Sequence, residues 1–373
     1  MADSEHGQDD GSSGFLSGAK ARLARSMRVV TGSSVDIEDY DPDKHDPLAT
    51  FDGLAGMREI ERYWLNAPYA FVSINYDPEE NEHRYHVVEP TLDELERDLL
   101  ERLFEDIRTP LLYRDDIEED PETALMEELE SRLEAYGVLI ETETFYRLFY
   151  YLYRQFQGYG KIDPLMNDPG IEDISCDGVE LPIFSYHEEY TDIETNIAFG
   201  DQALRNFVIQ LAQRSGRHIS VSDPVVSTTL PDGSRIELAL GEEVTPRGSA
   251  FTIRKYAEEP FTPVDLLEFG TVDLNMLAFL WLAIESNKSL IFAGGTAAGK
   301  TTSMNAVSMF IPPRSKVLTI EDTRELSLYH DNWLSSVTRE RFDEDDISMY
   351  NLLRSALRHR PEYIVVGEVR GQE

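Results

Sequence analysis

The sequence predicts an α/β fold whose C-terminal core is built around a phosphate loop, with α+β regions ahead of it, and three stretches carry that prediction. The first, "GGTAAGKTTS" from Gly294 to Ser303, lies between an apolar run, Leu290 to Ala293, and a segment with a helical pattern. The others, Lys316 to Ile320 and Tyr363 to Val366, are short apolar runs that lead into Glu321 and into Gly367-Glu368. Apolar strands alternating with helices argue for a parallel sheet. At 373 residues with 41% hydrophobic side chains the chain can fill two or three cores, since single domains run to about 100 to 200 residues.

Taken in order, residues 1–48 are rich in Asp, Ser and Gly and poor in apolar side chains, so an acidic, mostly disordered tail is expected. Within it Phe15 to Val30 carries Lys20, Arg22, Arg25 and Arg28 and no acid, with Phe15, Ala19, Leu23, Met27 and Val30 at helical spacing. This is either a basic amphipathic helix for an acidic membrane surface or a partner, or a weakly helical tail doing neither. Residues 49–122 read as a small α+β domain: helix Met57 to Trp64, strands Tyr69 to Tyr76 and Arg84 to Glu89, helix Leu92 to Ile107, then an acidic linker from Pro110 to Pro121.

Residues 123–260 read as a second α+β domain. One or two helices span Thr123 to Gln157, with an aromatic-rich second half that reads as packing. Short strands follow, divided by Asp177-Gly178 and Pro231-Asp232-Gly233 around a helix from Asp201 to Arg214. Thr262-Pro263 has the form of a helix start, Thr as cap and Pro at the first helical position, and opens a core over 261–373. In the next helix Leu274, Leu277, Trp281 and Ile284 share one face.

Charge narrows the partners. With 71 Asp+Glu against 34 Lys+Arg the formal net charge is -37, which opposes a phosphate backbone over most of the surface and makes nucleic acid a poor partner. Only 7 of the 34 basic residues are Lys and the other 27 are Arg. A Lys-poor, acidic surface suits a cytosol of molar salt, where the Debye length is about 3 Å and self-repulsion is screened, so a salt-loving archaeal host is expected, with an acidic mesophilic protein as the alternative. A single cysteine, Cys176, excludes an internal disulfide framework and a multi-cysteine zinc site. No early window has a signal peptide's apolar run and none approaches the roughly 18 residues that span a bilayer, so a cytoplasmic protein, docked at most peripherally on a membrane, is expected.

Gly294-Gly295-Thr296-Ala297-Ala298-Gly299-Lys300-Thr301 fits G-x-x-x-x-G-K-[ST] between a predicted strand and a predicted helix, the context that pattern requires. Small residues let backbone N–H groups close around phosphates, and the following helix, opened by Lys300, Thr301 and Thr302, adds positive potential. Lys300 would reach the β- and γ-phosphates and the Thr301 hydroxyl would ligate Mg²⁺. Glu321, Asp322 and Glu325 in "EDTRE" stand at a strand's C-terminal end, where carboxylates either hold the metal's water shell or orient the attacking water. Glu368 would bind Mg²⁺ through water, although the usual acid there is Asp. Arg354, Arg358 and Arg360 ahead of that strand serve a salt-bridged face, or phosphate or inter-subunit contacts.

"GGTAAGKTT", the aspartate-box-like "TIEDTRE" and "RPEYIVVGEVRG", an atypical Walker B, together resemble the secretion ATPase superfamily of type II secretion, type IV pili and the archaeal archaellum, its archaeal branch most of all. Upstream, "GKIDPLMNDPGIEDISCDG", "LPDGSRIELAL" and "FTIRKY" resemble the N-terminal domain before its motor core, so the likeness covers about Tyr136 to Glu373. The resemblance implies a RecA-like ATPase core, ATP and Mg²⁺ as cofactors, and hexameric rings with ATP between subunits. It also implies a polytopic membrane platform protein as partner at the cytoplasmic face of the membrane. It gives Glu325 the role of the base that orients water, assigns Glu368 to Mg²⁺, and has Arg235 and Arg254 approach the phosphates.

The family continues past "GEVRG" through a histidine box, and neither His330 nor His359 sits where that box belongs, so an incomplete motor core is expected. Two other readings stand beside the motor: a P-loop kinase, which needs an acceptor site and a lid, and a non-hydrolysing fragment that binds nucleotide or a partner. The motifs leave pilus, archaellum and secretion branches undivided.

Overall fold

Strand pairing decides which segments fold together. The computed structural model describes residues 37–111, 120–256, 260–295, 298–322, 324–338 and 348–369. They form two compact units, one running to Cys176 with Glu180–Phe199 added, the other made of Asp177–Val179 and the chain from Gly200 onward.

In the first unit β1 (Arg58–Asn66), β2 (Ala70–Asp77) and β3 (Glu82–Val88) form an antiparallel meander. β3 then pairs in parallel with β6 (Thr191–Ala198) through Arg84↔Glu194, and β5 (Pro182–His187) and β4 (Ile171–Cys176) complete the order β1-β2-β3-β6-β5-β4. Helices α1 (Glu94–Leu111), α2 (Pro121–Tyr136) and α3 (Thr142–Phe156) share one apolar cluster that includes Leu103, Leu129, Leu133, Leu148 and Leu152. Asp120 caps α2 by accepting the Thr123 N–H at 3.2 Å, Pro121 opens it, and Gly137 at φ +63 ends it in a conformation that glycine adopts without strain. A short α4 (Asp163–Asn167) leads into the turn before β4.

Within that turn Asp168 is 1% exposed and accepts the hydroxyls of Tyr63 at 2.8 Å and Tyr85 at 2.5 Å. It also takes the Gly170 N–H at 2.8 Å, and His187 Nε2 lies 3.2 Å from the Tyr63 hydroxyl.

Several expectations change here. The stretch read as a helix at 57–64 is β1, because pairing with β2 outweighs a pattern in which Met57, Ile60 and Trp64 also sit at helical spacing. Residues 37–47, expected as disordered tail, are placed: Ile37 packs against the helical cluster and Tyr40 stacks on His45 at 5.5 Å. The rest of the tail, with its basic segment 15–30, and linker residues 112–119 lie outside the described residues. The division expected near 122 runs through a single core, since α1, α2 and α3 bury their leucines together. The domain expected over 123–260 is divided at Gly200, because β4, β5 and β6 join the sheet begun by β1 to β3.

In the second unit β7 (Val225–Thr229), β8 (Arg235–Ala239) and β9 (Ala250–Arg254) pair antiparallel, and α5 (Asp201–Arg214) packs on β8 and β9, with Phe207 edge-on to Phe251 at 5.3 Å. After α6 (Pro263–Glu268), opened by a capping box between Thr262 and Asp265, come α7 (Leu274–Glu285) and α8 (Lys300–Ser308). β10 (Val317–Glu321), β11 (Trp333–Val337), α9 (Met349–Ala356) and β12 (Tyr363–Val366) follow. The core sheet is parallel with order β11-β10-β12. β10 is buried along its whole length, and its alternation divides the helices. Val317 packs with Ile284 and Val307 of α7 and α8, whereas Leu318 and Ile320 pack with Met349 and Ala356 of α9.

The expected α/β core is present, with one departure. Leu290–Ala293 is not a strand, and Ile291 is 93% exposed. A strand exists only as part of a ladder, and among the described residues no segment pairs beside it. In α7 only Leu277 and Ile284 of the four predicted face residues are buried, while Leu274 is exposed and Trp281 stacks on Phe310 with ring planes 2° apart.

Candidate active site

The predicted phosphate loop joins Phe292, packed against the core cluster, to the start of α8. Gly299 at φ +76 turns the chain into the helix, a conformation side chains resist, and leaves the first-turn N–H groups without a capping side chain. A Cβ on Gly294 would stand 3.2 Å from that of Ala298 and 3.5 Å from Lys300 Cγ, so glycine keeps the loop open at that point. The Lys300 ammonium donates to the Gly295 carbonyl at 2.6 Å, folded back onto its own loop. Thr301 and Thr302 follow on the first turn, half-buried; Thr296 and Ala297 lie outside the described residues.

Glu321 ends β10 and is 1% exposed. Its Oε1 accepts the backbone N–H groups of Glu325 and Leu326, each at 2.8 Å, while its Oε2 is buried with no hydrogen-bond partner among the described residues. Burial pushes this carboxyl above the usual range, partly offset by the two N–H donors. The acid read as a metal ligand thus folds the box: it shapes the loop that presents Glu325. Ser327 N–H donates to Asn305 on α8 at 3.3 Å, which ties the same loop to the phosphate-loop helix. Asp322 lies beside Thr338, whose hydroxyl donates to it at 3.1 Å.

Gly367 lies across from Glu321, its N–H donating to the Ile320 carbonyl at 2.8 Å, and a Cβ there would come within 3.2 Å of Glu321 Cγ. Glu368 follows on the exposed side. β10 and β12 therefore deliver Glu321 and Glu368 to one end of the sheet, as the sequence predicts.

Arg235 opens β8 directly opposite Arg254 of β9. Its Nη2 lies 3.5 Å from Glu325 Oε1, and its Nε is buried with no hydrogen-bond partner among the described residues. Two residues named from separate motifs thus meet. Arg354 sits on α9, with Arg358 and Arg360 exposed in the turn after it. His330 is packed rather than reactive: its Nε2 meets the Ile311 carbonyl at 3.0 Å beneath the Tyr329 ring.

Sequence reasoning missed three contributors: Glu321 as a buried loop clamp, Asn305 and Gly367. A signal was available for the first, an acid ending a fully apolar strand and followed by a short polar loop.

A family model described as Type II/IV secretion system protein matches residues 185–373, and one described as PilB3-like, N-terminal, matches residues 17–91. The chain belongs to the type II/IV secretion system protein family. The parallel sheet with helices on both faces is this family's RecA-like α/β core, and the first unit and the β7 to β9 part of the second, which precede it in the chain, are α+β. An uncharacterized protein of Methanocaldococcus jannaschii is 36% identical over 329 residues, 81% of this chain and 59% of its own length. The type IV secretion system protein PtlH of Bordetella pertussis is 34% identical over 182 residues, 42% of this chain and 53% of PtlH. The chain thus spans little more than half the length of these relatives. Among solved structures, the VirB11 ATPase of the Brucella suis type IV secretion system, in complex with sulphate, is 25% identical with a TM-score of 0.26, covering 57% of this chain and 70% of that one. Among the described residues of this secretion-system chain no helix is long and apolar enough to cross a membrane.

Proposed function

We propose that this chain is an ATP-hydrolysing motor subunit that powers an archaeal type IV pilus-like filament, archaellum or secretion machine. The observation that carries the reading is an acid-bearing loop clamped at the end of β10 and tied through Asn305 to the helix that follows the G-x-x-x-x-G-K-T loop. Among the described residues Lys300 holds a backbone carbonyl, the Gly295 oxygen, which it can leave when phosphate arrives. Glu325 is positioned through its backbone, and its carboxylate, in loose contact with Arg235, is the group that would orient a water. Arg235 and Arg254 approach the phosphates from β8 and β9, where arginine's fixed fork of donors suits phosphate oxygens.

The donors fit Mg²⁺. The Thr301 hydroxyl and the Glu368 carboxylate are hard oxygen ligands of the kind this ion takes together with phosphate oxygens and water. When bound, the ion neutralises charge on the phosphates. Lys300, Glu325 and Glu368 are the catalytic set in this reading. Gly294, Gly295, Thr296, Ala297, Ala298, Gly299, Thr301 and Thr302 cradle the nucleotide, and Glu321 supports the metal side through the loop it folds. The working assembly is a homo-hexamer at the cytoplasmic face of the membrane, pushing on a polytopic platform protein, without nucleic acid.

The test is ATP hydrolysis with parallel size analysis, in molar KCl with Mg²⁺, on this chain and on Lys300→Ala. Phosphate release without any acceptor, in a ring-sized species and lost in the variant, is the expected result. Turnover that needs a small-molecule acceptor, or that survives Lys300→Ala, would replace the motor with another reading.

A further inference from the structure

Arg235 and Glu325 are more than neighbours. Their contact is loose: at 3.5 Å, with the side chains 36% and 43% exposed, it belongs to the exposed ion pairs that shift an equilibrium by about fivefold at most. Three further features surround it. Arg235 stands directly across the ladder from Arg254, and like charges at opposed positions repel unless an anion lies near them. The Arg235 Nε is buried and unused among the described residues, so the guanidinium has donor capacity left over. The Glu325 backbone is fixed by Glu321 at 2.8 Å, which leaves its side chain as the part free to change partners.

We propose that Glu325 is a resident anion for Arg235, exchanged for the terminal phosphate of a bound nucleoside triphosphate. This rests on the motor reading above. A phosphate offers the guanidinium several charged oxygens and a bidentate grip, where Glu325 offers a single long contact, so the exchange runs toward phosphate. The event that engages Arg235 also frees the carboxylate. A nucleoside diphosphate brings no terminal phosphate to this position and leaves the pair intact. Arg235 is then a specificity-determining residue that separates ATP from ADP, and Glu325 takes a water only after the exchange.

Competition for one guanidinium is measurable as binding, without turnover. A non-hydrolysable ATP analogue and ADP, each with Mg²⁺, are titrated calorimetrically against the full chain, Glu325→Gln, Arg235→Gln and the double variant. Removing the competing charge in Glu325→Gln should tighten the analogue about two- to fivefold and leave ADP unchanged. On the Arg235→Gln background the same change should have no effect. A gain that is equal for ADP, or that persists without Arg235, would make Glu325 a general repulsive charge and overturn the exchange, as would no gain at all. Unchanged ADP affinity also reports that the variant loop is folded, and Glu325→Ala should repeat the result with a different side chain. A wild-type chain that binds neither nucleotide removes the motor reading together with this one; a chain that binds both with an unaltered ratio overturns the exchange alone.

Discussion

Replacing Glu321 with alanine should destabilise the second unit, and the structure gives the size. The substitution deletes the acceptor of two 2.8 Å backbone bonds and leaves the N–H of Leu326, a residue 0% exposed, without a partner. A stranded buried donor costs about 1 to 3 kcal/mol, and the lost methylene adds about 0.8 kcal/mol, for a total of about 2 to 4 kcal/mol. Glu321→Gln keeps an oxygen in place, and the weaker bonds to a neutral acceptor are offset by no longer burying a charge whose second oxygen is unpaired, so it should stay within about 1 kcal/mol of wild type. Urea unfolding followed by tryptophan fluorescence reads this sheet, since the Trp333 indole donates to Thr319 of β10 at 3.0 Å. Amide exchange at Glu325 and Leu326 reads the loop itself. Equal losses in the two variants, or unchanged exchange at those amides, would refute the clamp. The pH dependence has a definite sign. Burial raises the folded pKa above the ordinary glutamate value, so the native state holds the proton more tightly than the unfolded chain. The stability from this group is present below the ordinary value and is lost as pH rises through the raised one, so wild type should lose ground to Glu321→Gln across that window.

Further outcomes follow from other contacts. Gly294→Val puts a branched side chain where a single Cβ would already stand 3.2 Å from Ala298, and an overpacking cost of about 1 to 3 kcal/mol should weaken ATP binding by about 5- to 150-fold with the melting temperature little changed, as calorimetry would show. Leu148→Ala opens a cavity at a position 0% exposed among α1, α2 and α3 and should cost about 2 to 5 kcal/mol, read as faster amide exchange in those helices. Thr262→Ala removes one half of the capping box on α6 and should cost about 1 kcal/mol, read at the Val264 and Asp265 amides.

Much of the core was legible because its elements carry strong local signals. Tyr363–Val366 and Asp201–Arg214 have the expected limits, and α6 starts where Thr262-Pro263 placed it. What stayed hidden depends on partners distant in the chain. β1 has the composition of either a helix or a strand, and only β2 settles it. The grouping of β4 to β6 with β1 to β3 rests on a two-residue parallel contact, Arg84↔Glu194 and Tyr85↔Thr195, that no periodicity announces. At the site, the motifs and the resemblance they carry singled out Lys300, Glu325 and Glu368 as candidates but could not show that Arg235 reaches Glu325, because β8 and the box come from separate motifs.

The buried Asp168 has a meaning for modularity. Both phenols it receives, Tyr63 and Tyr85, belong to the stretch matched by the PilB3-like N-terminal model, while Asp168 itself lies beyond that stretch and His187 falls inside the second match. Beside the β3–β6 pairing, the two matched segments thus meet in the interior at this carboxylate. Severing the chain at the end of the first match would take both hydroxyls from a carboxyl that is 1% exposed, a loss larger than that of a surface contact. The N-terminal segment is not a detachable adaptor: a graft onto another motor has to carry the Asp168 turn and β5 with it.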